Sequence, residues 1–104
     1  MSSFENVTID KKSNVYFDGG VTSRTIHFAS GEVKTLGIMQ PGDYEFNTDK
    51  KELMEIQQGE VEVLLPGQDK WHRFSAGESF EVAASASFKI KALSLTDYCC
   101  SFID

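Results

Sequence analysis

The chain has 104 residues, with 10 Lys and Arg against 16 Asp and Glu, giving a formal net charge of -6. That length suits one domain able to bury a core without support from a metal or disulfides. The acidic balance and scattered basic residues exclude a general nucleic-acid binder and disfavour an anionic membrane surface, and no apolar run is long enough to span a bilayer.

Residues 1–13 are polar and read as a variable lead-in, loosely held unless they pair with a neighbour, ahead of a single domain over residues 14–104. They lack the unbroken apolar core of a signal peptide, so a cytoplasmic protein is expected. Asn14 to Phe17 reads as a short strand ended by the turn Asp18-Gly19-Gly20. Val21 to Phe28 follows as a strand with Thr22, Arg24, Ile26 and Phe28 on its more apolar face. After a turn at Ala29 to Glu32, Val33 to Met39 leads into the stretch that organises the chain.

That stretch is a run of hairpins. Pro41-Gly42 turns into a strand at Asp43 to Phe46, a polar turn follows at Asn47 to Lys51, then a strand at Glu52 to Ile56, the tight turn Gln57 to Glu60, and a strand at Val61 to Leu65. Alternation puts Glu52 on one face with Met54 and Ile56. Burying a carboxylate there is costly unless it is paired, metal-bound or in a wet cavity. Strand geometry alone leaves it either in such a cavity or at the strand end, in water beside Lys50 and Lys51.

Past the breaker-rich turn at Pro66 to Lys70, strands are expected at Trp71 to Phe74, Ser79 to Val82, Phe88 to Leu95 and Asp97 to Ile103, with a small-residue bend at Ala83 to Ser87. No segment carries a useful helical period. About nine to eleven short strands with regular turn signals make an all-β antiparallel barrel or jelly roll the expected fold. Sheet edges in so small a β protein are commonly covered, and pairing into a dimer is one way to cover them. Cys99 and Cys100 are the only cysteines. Adjacent cysteines rarely bridge, and reduced thiols in a terminal strand are the plain reading.

Glu52, six intervening residues and Gly59 resemble the second half of the first cupin motif, and Gly77 with Phe80-Glu81-Val82 resembles the start of the second. Where a metal cupin carries its first histidines this chain has Glu45 and Asn47, and Phe88 stands at the later histidine position. One carboxylate without imidazoles does not make a transition-metal site, so no metal is expected. The segments NVYFDGGVTSRTI, TLGIMQPGDYEFNT, VEVLLPGQDKW, FSAGESFEV and DYCCSF together resemble the pyrimidine/purine nucleoside phosphorylases, a family of small cupins, over about residues 14–102.

The resemblance implies a compact cupin barrel (a double-stranded β-helix), a homodimer, and phosphorolysis of several purine and pyrimidine nucleosides to free base and pentose 1-phosphate. Phosphate is then a co-substrate and no cofactor is expected. Such chemistry needs an anion site, contacts to the ribose hydroxyls and stabilisation of an oxocarbenium-like transition state. The cupin correspondence turns Glu52 into the barrel, where it can accept the sugar hydroxyls. Arg24 is the preferred basic group among Arg24, Lys34, Arg73 and Lys89, with Thr35, Ser85 and Ser87 as neutral donors. Tyr44, Phe46, Met39 and Phe88 are candidates for an apolar floor and a stacking surface for the base. His27 and His72 are not favoured as general bases. Two other readings stay open from the residues themselves: a degenerate cupin pocket that binds a small metabolite without chemistry, and an interaction protein using its sheet edges.

Overall fold

The computed structural model describes residues 2–104. Eleven strands form in chain order: β1 (Val7–Ile9), β2 (Asn14–Tyr16), β3 (Val21–Phe28), β4 (Val33–Met39), β5 (Gly42–Asn47), β6 (Lys51–Gln58), β7 (Glu60–Leu64), β8 (His72–Ser75), β9 (Ser79–Val82), β10 (Ser87–Ala92) and β11 (Thr96–Ile103). A single turn of 3-10 helix at Phe17–Gly19 separates β2 from β3. The larger sheet runs β1-β3-β4-β11-β6-β9, with β2 also on β3, and the smaller runs β5-β10-β7-β8. All pairings are antiparallel. The two sheets pack as an open sandwich, not a closed cylinder.

Alternating apolar residues explain the packing. Val61, Val63, Ile90, Met39, Val21 and Ile56 are fully enclosed between the sheets, and Phe74, Phe80 and Phe88 extend this core as a run of aromatic neighbours. The tight turn at Gly59 has φ +95, and a Cβ there would lie 2.5 Å from the Leu95 carbonyl oxygen, so glycine is required on both counts.

Three local findings refine the sequence reading. The second half of the lead-in is held: β1 pairs with β3 through Val7↔Phe28 and Ile9↔Ile26, while Phe4 meets the edge of Phe28 at 5.0 Å. In β3 the face turned to the main core is the one carrying Val21 and Ser23, not the more apolar one. Ile26 and Phe28 instead sit on the outer face, where the N-terminal segment covers them, and this extra layer is what composition along one strand does not reveal. Trp71 precedes β8 and remains partly exposed under the ammonium of Lys91, 4.3 Å above its ring.

Candidate active site

Between the sheets, near the β5–β6 and β9–β10 turns, opens a pocket of about 490 Å³. This is within the range of small-molecule sites. Its polar floor comes from the middle strands of the larger sheet. Thr35 of β4 faces Cys100 of β11, which in turn faces Met54 of β6. Glu52 lies two residues before Met54 and so reaches Cys100 on the diagonal.

Glu52 is half-buried. Burial raises its pKa above the ordinary value, the hydrogen bond from the Cys100 thiol draws it back, and the charge of Asp49 adds to the rise. The Cys100 thiol is pushed far up, first by burial and then by the neighbouring Glu52 carboxylate, so it is a neutral donor. Its near neighbour Tyr98 is also driven far up by burial, which keeps the phenol neutral, and Ser23 hydrogen-bonds it. Asn14 fixes Ser23 in turn, donating from Nδ2 to Ser23 Oγ at 3.2 Å and to Thr25 Oγ1 at 3.1 Å. Gly37 makes room for the Tyr98 ring: a Cβ there would fall 2.5 Å from the ring carbon that bears the hydroxyl.

The apolar wall comes from the smaller sheet. Phe46 of β5 and Phe88 of β10 are register partners and stack with centroids 5.7 Å apart. Tyr16 closes on Phe46 edge-on at 6.3 Å. The mouth is formed by the turn after β5, and Thr48 pins this turn to the bend before β10. Its hydroxyl donates to the Ala83 carbonyl at 2.7 Å and accepts from the Ala86 amide at 3.0 Å, and its own amide donates to the Ala86 carbonyl at 2.8 Å. Asp49 and Lys50 are thereby presented at the pocket from a fixed turn, beside Asn47 at the end of β5.

Of the residues singled out from sequence, Glu52, Thr35, Met39, Phe46 and Phe88 converge on this pocket. Arg24 and Tyr44 do not. Arg24 projects from the opposite face of β3 into an outer groove, where its guanidinium donates to the Lys11 carbonyl at 2.9 Å. The reason is the face reversal in β3, since Ser23, and not Arg24, takes the inward position. Tyr44 is a structural fastener outside the pocket lining: its hydroxyl donates to the Gln40 carbonyl at 2.7 Å, and its ring packs on Phe17 at 5.0 Å. The other basic candidates are also elsewhere. Lys34 lies over the rings of Phe4 and Phe28, Arg73 pairs with Glu60, and Lys89 is exposed. His27 has an exposed carboxylate partner, Asp10, at 2.9 Å, away from the pocket.

Sequence reasoning missed Tyr16, Tyr98, Cys100 and Lys50 as pocket residues. Alternation along β11 could have found Tyr98 and Cys100, because they share a face with Phe102. Among the described residues, no three His, Cys, Asp or Glu side chains gather as a ligand set for a metal ion.

The model of the pyrimidine/purine nucleoside phosphorylase family matches residues 11–102. The chain belongs to that family. A relative in Geotalea uraniireducens that bears the family's name is 65% identical over 104 residues, covering 100% of both chains. A solved structure from Acinetobacter sp. ADP1, described as a protein of unknown function, is 40% identical with a TM-score of 0.94, covering 97% of this chain and 98% of that one. An RmlC-like cupin from Shewanella frigidimarina shares the fold at a TM-score of 0.70 and 17% identity, over 97% of this chain and 86% of the other. The family's sandwich is therefore of the cupin type. No helix among the described residues is long and apolar enough to cross a membrane.

Proposed function

We propose that the inner pocket carries out phosphorolysis of purine and pyrimidine nucleosides, releasing the free base and α-D-ribose 1-phosphate, and does so without a metal. A half-buried carboxylate, Glu52, set opposite a wall of aromatic rings, carries this reading. A phosphate oxygen bonds to the anomeric carbon as the bond from that carbon to the base nitrogen breaks. The departing nitrogen keeps the bonding electron pair and is stabilised by a proton or hydrogen bonds. Positive charge grows on the sugar ring between the two events. An ionised Glu52 accepts hydrogen bonds from the ribose hydroxyls and stabilises that charge in a partly dry site.

The Cys100 thiol holds the carboxylate by its hydrogen bond, and Thr35 hydrogen-bonds Cys100 from the neighbouring strand. Phe46 and Phe88 offer stacking surfaces, which suit many bases because stacking does not read base edges. That breadth is consistent with a lining in which Asn47, Asp49 and Lys50 sit at the mouth and the wall facing the base is aromatic. Metal independence is supported by the donor chemistry, two carboxylates (Glu52 and Asp49) with thiol and hydroxyl neighbours and no imidazole in the lining.

The active species in this reading is a cytoplasmic homodimer, a pentosyltransferase in class. Free, buried Cys99 and Cys100 suit a reducing compartment, and the unpaired outer strands of both sheets suit association. The test is product analysis with uridine, inosine, adenosine and guanosine, with and without phosphate and after chelation. Base release that needs phosphate and survives chelator is the expected result. Base release lost on chelation would overturn metal independence, and no release under any condition would overturn phosphorolysis in favour of a binding pocket.

A further inference from the structure

A phosphate ion placed beside Asp49 and Glu52 needs a compensating cation, because an unpaired anion near two carboxylates in a partly dry site is strongly disfavoured. Among the described residues lining the inner pocket, Lys50 is the one cation. The other basic candidates lie outside this lining: Arg24 and Lys34 line the outer groove, Arg73 is bound to Glu60, and Lys89 is exposed away from it; Lys51, next to Lys50, is 3.4 Å from Glu81.

Lys50 also has the right setting. It ends the turn that Thr48 pins to the Ala83–Ala86 bend, so its backbone is fixed while its side chain is exposed. Asn47, the last residue of β5 just before this turn, adds a neutral amide donor at the pocket mouth. Lys50 already holds a carboxylate partner. Its Nζ is 2.7 Å from Oδ1 of Asp104, and both side chains are exposed. A carboxylate oxygen thus occupies the place on the ammonium that an oxygen of another anion would take. Exposed pairs of this sort are weak, so exchange for a multiply charged anion costs little.

We propose that the Lys50 ammonium, with the Asn47 side chain, anchors the phosphate co-substrate at the mouth of the inner pocket, and that the Asp104 carboxylate is the resting counter-ion which phosphate displaces. This rests on the phosphorolysis reading for the identity of the anion. It orders the site from the mouth inward: phosphate on Lys50, ribose over Glu52, base against Phe46 and Phe88. The same exchange gives the pocket a built-in competitor for its anion, one that sets how much phosphate is needed for turnover.

The experiment measures inorganic phosphate binding by calorimetry, alongside the KM values for phosphate and for nucleoside, in the full chain and three variants. Lys50→Met should weaken phosphate binding and raise the phosphate KM by about tenfold or more, the scale of one charge-assisted hydrogen bond, with the nucleoside KM held within about twofold. Lys50→Arg should restore most of the affinity. Asp104→Asn should tighten phosphate by about two- to threefold, the scale of an exposed ion pair. Unchanged phosphate binding in a folded Lys50→Met protein overturns the anchor, even where the wild type is an active phosphorylase. Unchanged or weaker binding in Asp104→Asn overturns the counter-ion role. Lys50-dependent phosphate binding by a wild-type protein that releases no base would uphold the anion site and overturn phosphorolysis.

Discussion

The larger sheet carries a cavity on each face, and the two differ in kind. The outer groove is the larger, about 950 Å³, against about 490 Å³ for the inner pocket. Its lining mixes Arg24, Lys34, Glu55 and Asp97 along its strands; Arg24 is exposed on the Lys11 carbonyl and Lys34 lies over the Phe4 and Phe28 rings. The inner pocket has a desolvated carboxylate, neutral donors beside it and aromatic walls opposite. Cys99 and Cys100 mark the divide. They are sequence neighbours on one strand, yet Cys99 lines the groove and Cys100 the pocket. Volume alone would favour the groove, whereas the chemistry of the lining favours the pocket, because a transition state is stabilised by groups whose charge is not already spent on water.

The largest effect is expected from Glu52→Gln. It should lower kcat/KM for every nucleoside by about 100-fold or more while the protein stays folded, as judged by circular dichroism. Activity within a few-fold of wild type would move the reaction away from the inner pocket. Next in size is Phe46→Ala. Loss of its stacking surface should raise nucleoside KM by roughly ten- to a hundredfold, with purines and pyrimidines affected together. Steady-state kinetics on one nucleoside of each kind checks it.

Thr48→Val tests the mouth. The methyl group fills the hydroxyl's space but leaves partners at Ala83 and Ala86 unpaired, a cost of about 1–3 kcal/mol in urea denaturation. A smaller effect concerns the pH dependence of Glu52. Its folded-state pKa lies above the ordinary glutamate value of 4.5, so between those two values the folded state binds more protons than the unfolded one. Stability from this group is present below 4.5 and is lost as pH rises through the folded value. Glu52→Gln should therefore melt higher than wild type at pH 7, and the gain should fade as pH drops towards 4.5. A melting series across pH reads it directly. Smallest of all is Arg24→Met, expected to leave kcat/KM unchanged and stability within about 0.5 kcal/mol. A large loss of turnover there would bring the outer groove into the reaction.

Much of this was readable along the chain. Period-two alternation in β6, β7, β9 and β10 identified the strands and their inward faces, because those strands pack one side only and each is bounded by turn residues. The same alternation, joined to the family resemblance, turned Glu52 inward with Met54 and Ile56; of Tyr44, Phe46, Met39 and Phe88, read as an apolar floor and stacking surface, all but Tyr44 line the pocket. Alternation misled in β3, where the more apolar face meets Phe4 and the N-terminal segment while Ser23 faces the pocket. Tyr44 has the composition of a stacking residue but spends its hydroxyl on Gln40.

The all-β architecture, the strand order along the chain and the family are legible before folding, since local periodicity, turn residues and ordered motifs are written in consecutive positions. Which side of the sheet Arg24 occupies, that Cys100 rather than Cys99 meets Glu52, and that Lys50 stands at the pocket mouth beside Asp104 emerge in the folded chain alone. Those facts depend on sheet pairings between residues far apart in the chain, and on a segment near the start covering a face that composition would have placed in the core.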